Sequence, residues 1–296
     1  VRKEIMQMSM PVGYEKYLAF FTDALDKMCK EMRFSPDILT ESMRYSLQSG
    51  GKRLRPVLFA AMLDACGCDY EREAAFAVAL ECVHAYSLVH DDLPAMDNDD
   101  FRRGKPSCHK RFGEAHAILA GDALLSYAFD LLLREAVRGE QYLRAAKILS
   151  EAAGAEGMIS GQSYDISFTG KSLGKEELIT VYKRKTGALI AAGLKMACAI
   201  AQKNEQIAAE YGENLGILFQ LTDDFIDEYG ESDEAGKTLG KDKRADKLTC
   251  IKVFGLERAE ALADEYADKC RVALRGFDGD ACFFDRLIDC VRDRTK

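Results

Sequence analysis

Along most of the 296-residue chain, apolar residues recur at three- and four-residue intervals, the spacing of helices with one buried face. The segments Glu73 to His90, His116 to Arg134 and Lys185 to Gln202 carry this pattern and are rich in Ala and Leu, which favour helix. The Val/Ile/Thr alternation that strands need is scarce, and only five prolines interrupt the chain. Turn chemistry breaks the periodic segments at Gly50-Gly51, at FTGKSLGKEE (168–177) and at GESDEAGKTLGKDKRADK (230–247). None of these is long or bland enough to link separate domains. The pattern predicts one all-α domain.

Composition narrows the function. A net charge of −8 argues against a nucleic-acid surface as the main business of the protein. The longest apolar stretch noted, Gly187 to Ala201, is interrupted by Lys195, so no stable membrane anchor is expected. The first ten residues, VRKEIMQMSM, lack the continuous apolar core of a secretory signal. Ten cysteines at irregular spacing form no CxxC and no zinc-like array, which suits free thiols in a reducing cytoplasm.

Two stretches carry candidate chemistry. CVHAYSLVH (82–90) reads as the last turns of a buried helix and runs straight into Asp91 and Asp92, with Asp97 following. Pro94 cannot continue a helical ladder, so the chain is expected to bulge there and bring Asp97 back towards the first two acids. Carboxylates at a helix C-terminus sit on the unfavourable side of its dipole, and a charge run taken alone is usually a solvated turn. GILFQLTDDFIDEYG (216–230) repeats the design with Asp223, Asp224 and Asp227, of which Asp223 and Asp227 share one helix face. Two apolar helices that each end in three aspartates argue for a purpose. All-oxygen ligands favour Mg²⁺, which is commonly held by one or two carboxylates together with substrate phosphates.

Basic clusters supply partners for such phosphates. Lys52, Arg53 and Arg55 follow the glycine pair, Arg102, Arg103 and Lys105 follow the first acids, and Lys185 lies in KRKTGALI. Lys237, Lys241 and Lys247 follow the second acid cluster. Arginine forks bind phosphate oxygens in pairs, whereas lysine acts as a mobile point charge. GESDEAGKT (230–238) is not a P-loop, because five residues separate its glycines where four are needed.

Six blocks taken together resemble the trans-isoprenyl diphosphate synthases, in particular the bacterial farnesyl diphosphate type. They are GGKRLRP (50–56), HAYSLVHDDLPAMDNDDFRRGKPSCH (84–109), GMISGQSYD (157–165), KTGALI (185–190), FQLTDDFID (219–227) and GKTLGKDKRADKLT (236–249). The resemblance implies a single polyprenyl synthetase domain over 1–296, an all-α isoprenoid-synthase bundle with a central active-site cavity, and a homodimer. It implies that Asp91, Asp92 and Asp97 on one wall and Asp223, Asp224 and Asp227 on the other hold Mg²⁺, usually three ions, around an allylic diphosphate. Motif matching assigns Arg102, Lys185 and Lys237 to that diphosphate, with Lys247 joining on closure. Isopentenyl diphosphate would sit on Lys52, Arg55, His84 and Arg103, while Thr186 and Gln220 face the carbocation. Gln162 and Asp165 match a family block in supporting positions.

The resemblance also makes Tyr86 the floor for the growing chain, since it lies five residues, about 7.5 Å of helical rise, before Asp91. A fifteen-carbon product is expected, with a geranylgeranyl diphosphate synthase of the same family as the alternative. A class I terpene cyclase fits less well. Its second metal motif typically mixes Asn, Ser/Thr and Glu, and it needs no second diphosphate site. A catalytically silent partner subunit fits less well too, since such subunits commonly lose one aspartate cluster and both are complete here.

Overall fold

Ala74–Asp91 is apolar around most of its circumference, and such a helix is stable in water only when other helices surround it. The computed structural model, which describes residues 10–171, 174–229 and 249–294, encloses it in that way. In chain order the helices are α1 (Tyr14–Glu31), α2 (Asp37–Leu47), α3 (Leu54–Ala65), α4 (Ala74–Asp91), α5 (Cys108–Phe112), α6 (Glu114–Ala136) and α7 (Glu140–Ala153). They continue with α8 (Met158–Phe168), α9 (Lys175–Tyr182), α10 (Ala188–Ile200), α11 (Glu205–Tyr229), α12 (Cys250–Phe254), α13 (Leu256–Leu274) and α14 (Cys282–Asp293). A short 3₁₀ turn, Tyr70–Glu73, leads into α4.

The expected all-α class holds. α3, α4 and α10 form the centre, with α6 packed along α4, and with α7 and α11 packed along α10. The outer helices are amphipathic: Tyr14, Tyr17, Phe21, Leu25 and Cys29 line the inner face of α1, and Phe284, Leu287, Ile288 and Val291 that of α14. α6 is the one described helix long and apolar enough to cross a membrane, a candidate that the sequence reading passed over. One side of it packs against α4, α2, α5 and α7, while Ile118, Leu119 and Leu133 on it are exposed.

Two local departures from simple helix shape the site. Phe101–Arg102 pairs antiparallel with Lys105–Pro106, and the two-residue loop between them, Arg103-Gly104, has φ of 54° and 75°. Positive φ at both central residues matches the twist of a tight hairpin, and here it turns an arginine towards the neighbouring glycine loop. Lys183–Gly187 forms a π-helical turn between α9 and α10, where the sequence suggested regular helix from Lys185 onward. A π turn is a common functional irregularity. This one fits against bare backbone, since a Cβ at Gly216 of α11 would fall 2.3 Å from Gly187 Cα and one at Gly161 of α8 would fall 2.2 Å from Lys185 N.

Candidate active site

A cavity of about 1010 Å³ opens between the C-terminal ends of α4 and α11. Its lining includes Lys52, Arg55, His84, Tyr86, Asp91, Asp97, Arg102, Arg103, Lys185, Thr186, Gln220, Asp223 and Asp224. Residues scattered from one end of the chain to the other therefore converge on one space.

The first acid wall forms where α4 stops. After Asp92 the chain turns through Pro94, and the Asp97 N–H donates to the Asp91 carbonyl at 2.9 Å, closing a loop that sets both side chains at the cavity. Asp92 is the enclosed member of the cluster. It is 2 % exposed, lies outside the cavity lining, and its carboxylate accepts from Arg102 Nε at 3.0 Å and from Arg102 Nη2. Arg102 Nη2 also reaches Asp99 at 3.4 Å. The expected diphosphate ligand is thus engaged in tying down the acidic loop, although its side chain still borders the cavity.

On the second wall, Asp223 lines the cavity and Asp227 stands one turn further along α11, half-buried and outside the lining. Asp224 is again the buried member. Its Oδ2 accepts from the Tyr182 hydroxyl and from the Cys250 N–H at 2.6 Å, and burial raises its pKa to about 7. In each cluster the second aspartate is tied to protein donors, although Asp224, unlike Asp92, still borders the cavity beside Asp223. Among the described residues no three His, Cys, Asp or Glu side chains close into a metal cage. Open walls of carboxylate oxygen fit Mg²⁺, whose remaining positions go to water and phosphate.

Cations gather on a ledge at one side. Arg55 Nη1 lies 3.4 Å from His84 Nε2, and Arg55 Nε is buried without a hydrogen-bond partner. Burial lowers the Arg55 guanidinium to about 10 and, aided by the surrounding arginines, holds His84 well below its usual range, so the imidazole is neutral. Desolvation likewise lowers Lys52 and Arg103. A desolvated cation with an unfilled donor, as at Arg55 Nε, favours an anion beside it. Arg103 donates to Ser49 Oγ at 3.3 Å and to the Gly50 carbonyl, and packs so closely on Gly51 that a Cβ there would fall 2.4 Å from its guanidinium carbon.

Arg53, grouped with these bases in the sequence, points elsewhere. It pairs with buried Glu81 and donates to the Leu47 carbonyl, anchoring the glycine loop from below. Across the cavity Lys185 Nζ lies 2.5 Å from Asp165 Oδ2, and Thr186 Oγ1 donates to Gln220 Oε1 at 2.9 Å. Both pairs rest on the π turn. Tyr86 lies deeper, 5 % exposed, with a buried hydroxyl that has no partner. Lys237, Lys241 and Lys247 lie outside the described residues.

Sequence reasoning missed Arg294 and Tyr182. Arg294 enters the cavity just beyond α14, with Nη2 2.9 Å from Asp223 Oδ1 and its guanidinium 4.0 Å from the Phe219 ring centroid. No periodicity or motif marks it, because its partners lie on α11. Tyr182 had a weak signal: it precedes the KRKTG block, and a tyrosine at that register faces the acids of α11.

Comparison with known proteins agrees with this geometry. The polyprenyl synthetase family model matches residues 36–272. Farnesyl diphosphate synthase of Micrococcus luteus is 43 % identical over 261 residues, covering 87 % of this chain and 90 % of that one. Geranylgeranyl pyrophosphate synthases of plants are also among the relatives. A geranyltransferase structure from Legionella pneumophila superposes with a TM-score of 0.83 at 35 % identity, covering 95 % of this chain and 96 % of that one. A geranyltransferase from Helicobacter pylori, complexed with magnesium and isoprenyl diphosphate, superposes with a TM-score of 0.79 at 30 % identity, covering 93 % and 96 %. The chain belongs to the polyprenyl synthetase family.

Proposed function

We propose that the protein condenses isopentenyl diphosphate with dimethylallyl or geranyl diphosphate to give farnesyl diphosphate. The observation that carries this reading is the pairing of two carboxylate walls with a desolvated cation ledge, Arg55, Arg103 and Lys52, around one cavity that Tyr86 also lines. A site for one diphosphate needs only one such anion-binding arrangement. Two arrangements suit two diphosphate substrates.

Asp91 and Asp97 on one side and Asp223 on the other would hold Mg²⁺, with Asp92, Asp224 and Asp227 in support. When bound, Mg²⁺ supplies positive charge against the allylic diphosphate and Lewis-acid assistance to its departure, with three ions matching the family habit. Lys185 reaches the same diphosphate by exchanging Asp165 for a phosphate oxygen, and Arg102 borders the same space. The carbon–oxygen bond breaks, and Thr186 Oγ1 and Gln220 Oε1 face the allylic cation with oxygen lone pairs. Isopentenyl diphosphate, held by Arg55, Arg103, Lys52 and His84, turns its double bond to that cation. A carbon–carbon bond forms, and the proton lost in restoring the alkene goes to the released diphosphate. The apolar depth of the cavity excludes water that would convert the cation to an alcohol, and Tyr86 stops the chain at fifteen carbons.

The protein would act as a single catalytic domain and homodimer in the cytoplasm. The exposed Ile118, Leu119 and Leu133 of α6 and Ile159 of α8 offer apolar surface for a second copy, and all ten cysteines are free thiols. Incubating the purified protein with labelled isopentenyl diphosphate and each allylic starter, followed by chromatography of the products, tests the reading. A fifteen-carbon diphosphate supports it, a twenty-carbon product moves the assignment to geranylgeranyl diphosphate, and cyclised hydrocarbon without chain extension refutes it.

A further inference from the structure

One residue between the Tyr86 floor and the Asp91 wall has no part in the chemistry above. His90 lies four positions after Tyr86 on the same face of α4, and it borders the cavity together with Asp122 and Leu125 of α6. Its ring meets the Tyr86 ring edge to face, with centroids 5.8 Å apart and planes at 80°. Its Nε2 lies 3.1 Å from the Ile118 carbonyl oxygen and 3.9 Å from Asp122 Oδ1.

Opposite the ring stands Gly121, in the interior of α6. A Cβ at that position would fall 2.1 Å from His90 Nε2 and 2.4 Å from its Cδ2. Its backbone is helical and does not require glycine, and glycine inside a helix is less favourable than alanine. What the missing side chain provides is a notch that accepts the imidazole. The Tyr86 hydroxyl, for its part, is buried with no hydrogen-bond partner. Packing rather than a polar tether therefore holds the Tyr86 ring, and His90 is a wall of that packing.

We propose that His90, seated in the Gly121 notch, is a positioning residue for product length that holds the Tyr86 ring across the end of the cavity. The inference rests on the reading of Tyr86 as the floor. It adds that floor position is set from α6, through a ring that bridges the two helices. Removing the ring frees Tyr86 to turn aside and opens the cavity. Filling the notch drives the imidazole towards the substrate and shortens the cavity.

The test is product distribution from dimethylallyl diphosphate and isopentenyl diphosphate for His90→Gln, His90→Phe, Gly121→Ala and Tyr86→Ala, beside the unaltered protein. His90→Gln keeps a polar group for the Ile118 carbonyl but loses the ring, and it should raise the ratio of twenty- to fifteen-carbon product about tenfold, the scale of one lost edge-to-face contact. His90→Phe keeps a ring and should retain the fifteen-carbon product. Gly121→Ala should accumulate the ten-carbon product, and adding His90→Gln to it should relieve the block. If Gly121→Ala melts early, that double variant, free of the clash, still reads the effect of the ring. Should Tyr86→Ala lengthen the product while His90→Gln leaves the distribution unchanged, the positioning role is overturned and the floor stands. Should Tyr86→Ala and His90→Gln both stop at fifteen carbons, the floor reading falls and the positioning role with it.

Discussion

Arg294 Nη2 lies 2.9 Å from Asp223 Oδ1, and the guanidinium that makes this contact is almost wholly enclosed while the carboxylate is 42 % exposed. The same side chain donates through Nε to Thr222 Oγ1 at 2.7 Å, caps the Phe219 ring and donates to the Phe219 carbonyl. The end of the C-terminal helix is thereby fastened to α11 at the residue proposed to receive metal. Cations repel: two unit charges ~4 Å apart at an effective dielectric of ~20 interact by about 4 kcal/mol, before solvent and salt reduce it.

Arg294→Gln is therefore expected to lower the magnesium concentration needed for half-maximal turnover by severalfold. A magnesium titration of the initial rate measures this. A raised requirement would show instead that the guanidinium orients the Asp223 carboxylate for its ligand.

His84 supplies a pH dependence of stability. Its folded pKa lies below the ordinary value because burial, and then the charges of Arg55 and Arg103, disfavour the imidazolium. Unfolding lets the ring recover a pKa near 6.5, so below that pH the unfolded chain binds more protons and stability falls as pH falls. Above that window the contribution is fully present. One such group steepens the acid side by at most about 1.4 kcal/mol per pH unit. His84→Gln should flatten the decline in unfolding free energy between pH 6.5 and pH 5, as followed by urea denaturation at each pH.

The two substrate assignments separate kinetically. Arg55 sits on the ledge with His84 and Arg103, whereas Lys185 projects from the π turn beside Asp165. Arg55→Ala should raise KM for isopentenyl diphosphate by about tenfold or more, the scale of one charge-assisted hydrogen bond, and leave KM for geranyl diphosphate within about threefold. Lys185→Ala should chiefly lower kcat with the allylic substrate, because its charge would oppose that of the departing diphosphate. Equal effects of both substitutions on both Michaelis constants would refute the two-site assignment.

What the chain reveals by inspection is the convergence, since an apolar helix ending in aspartates can be read twice along it. The differences within each cluster were hidden. Asp91 and Asp92 look equivalent in sequence, yet consecutive helical residues point about 100° apart, so one can face a cavity while its neighbour faces the hairpin arginine. Which one does so depends on Arg102, which a two-residue turn at Arg103-Gly104 sets in place, and that turn lacks the Asn-Gly signature that would have announced it. The π turn at Lys183–Gly187 was similarly hidden, because KRKTG reads as ordinary helix until Gly161 and Gly216 are seen to press on it. Arg294 could not be read at all, as its role exists only through packing against α11.

That difference between neighbours predicts opposite phenotypes for adjacent aspartates. Asp91 is half-buried at the cavity, and Asp91→Ala should remove several kcal/mol of transition-state stabilisation, seen as a collapse of kcat/KM, with little change in melting temperature. The unaltered protein stripped with EDTA should show the same collapse and regain activity on adding magnesium. Asp92 instead neutralises Arg102, whose side chain is 11 % exposed, and Asp92→Ala leaves that cation with Asp99 alone at 3.4 Å. Breaking a buried pair by removing one partner costs about 3–5 kcal/mol, and the shared Asp99 contact moves the expectation to the lower end. Thermal melts should therefore rank Asp92→Ala well below Asp91→Ala. Asp92→Asn, which keeps an oxygen acceptor for Arg102, should recover part of the lost stability, whereas Asp91→Asn should stay as inactive as the alanine variant because an amide oxygen carries no charge for a hard cation. If Asp92→Ala melts like the unaltered protein and loses activity as Asp91→Ala does, both aspartates serve the metal directly and the buried ion pair is incidental.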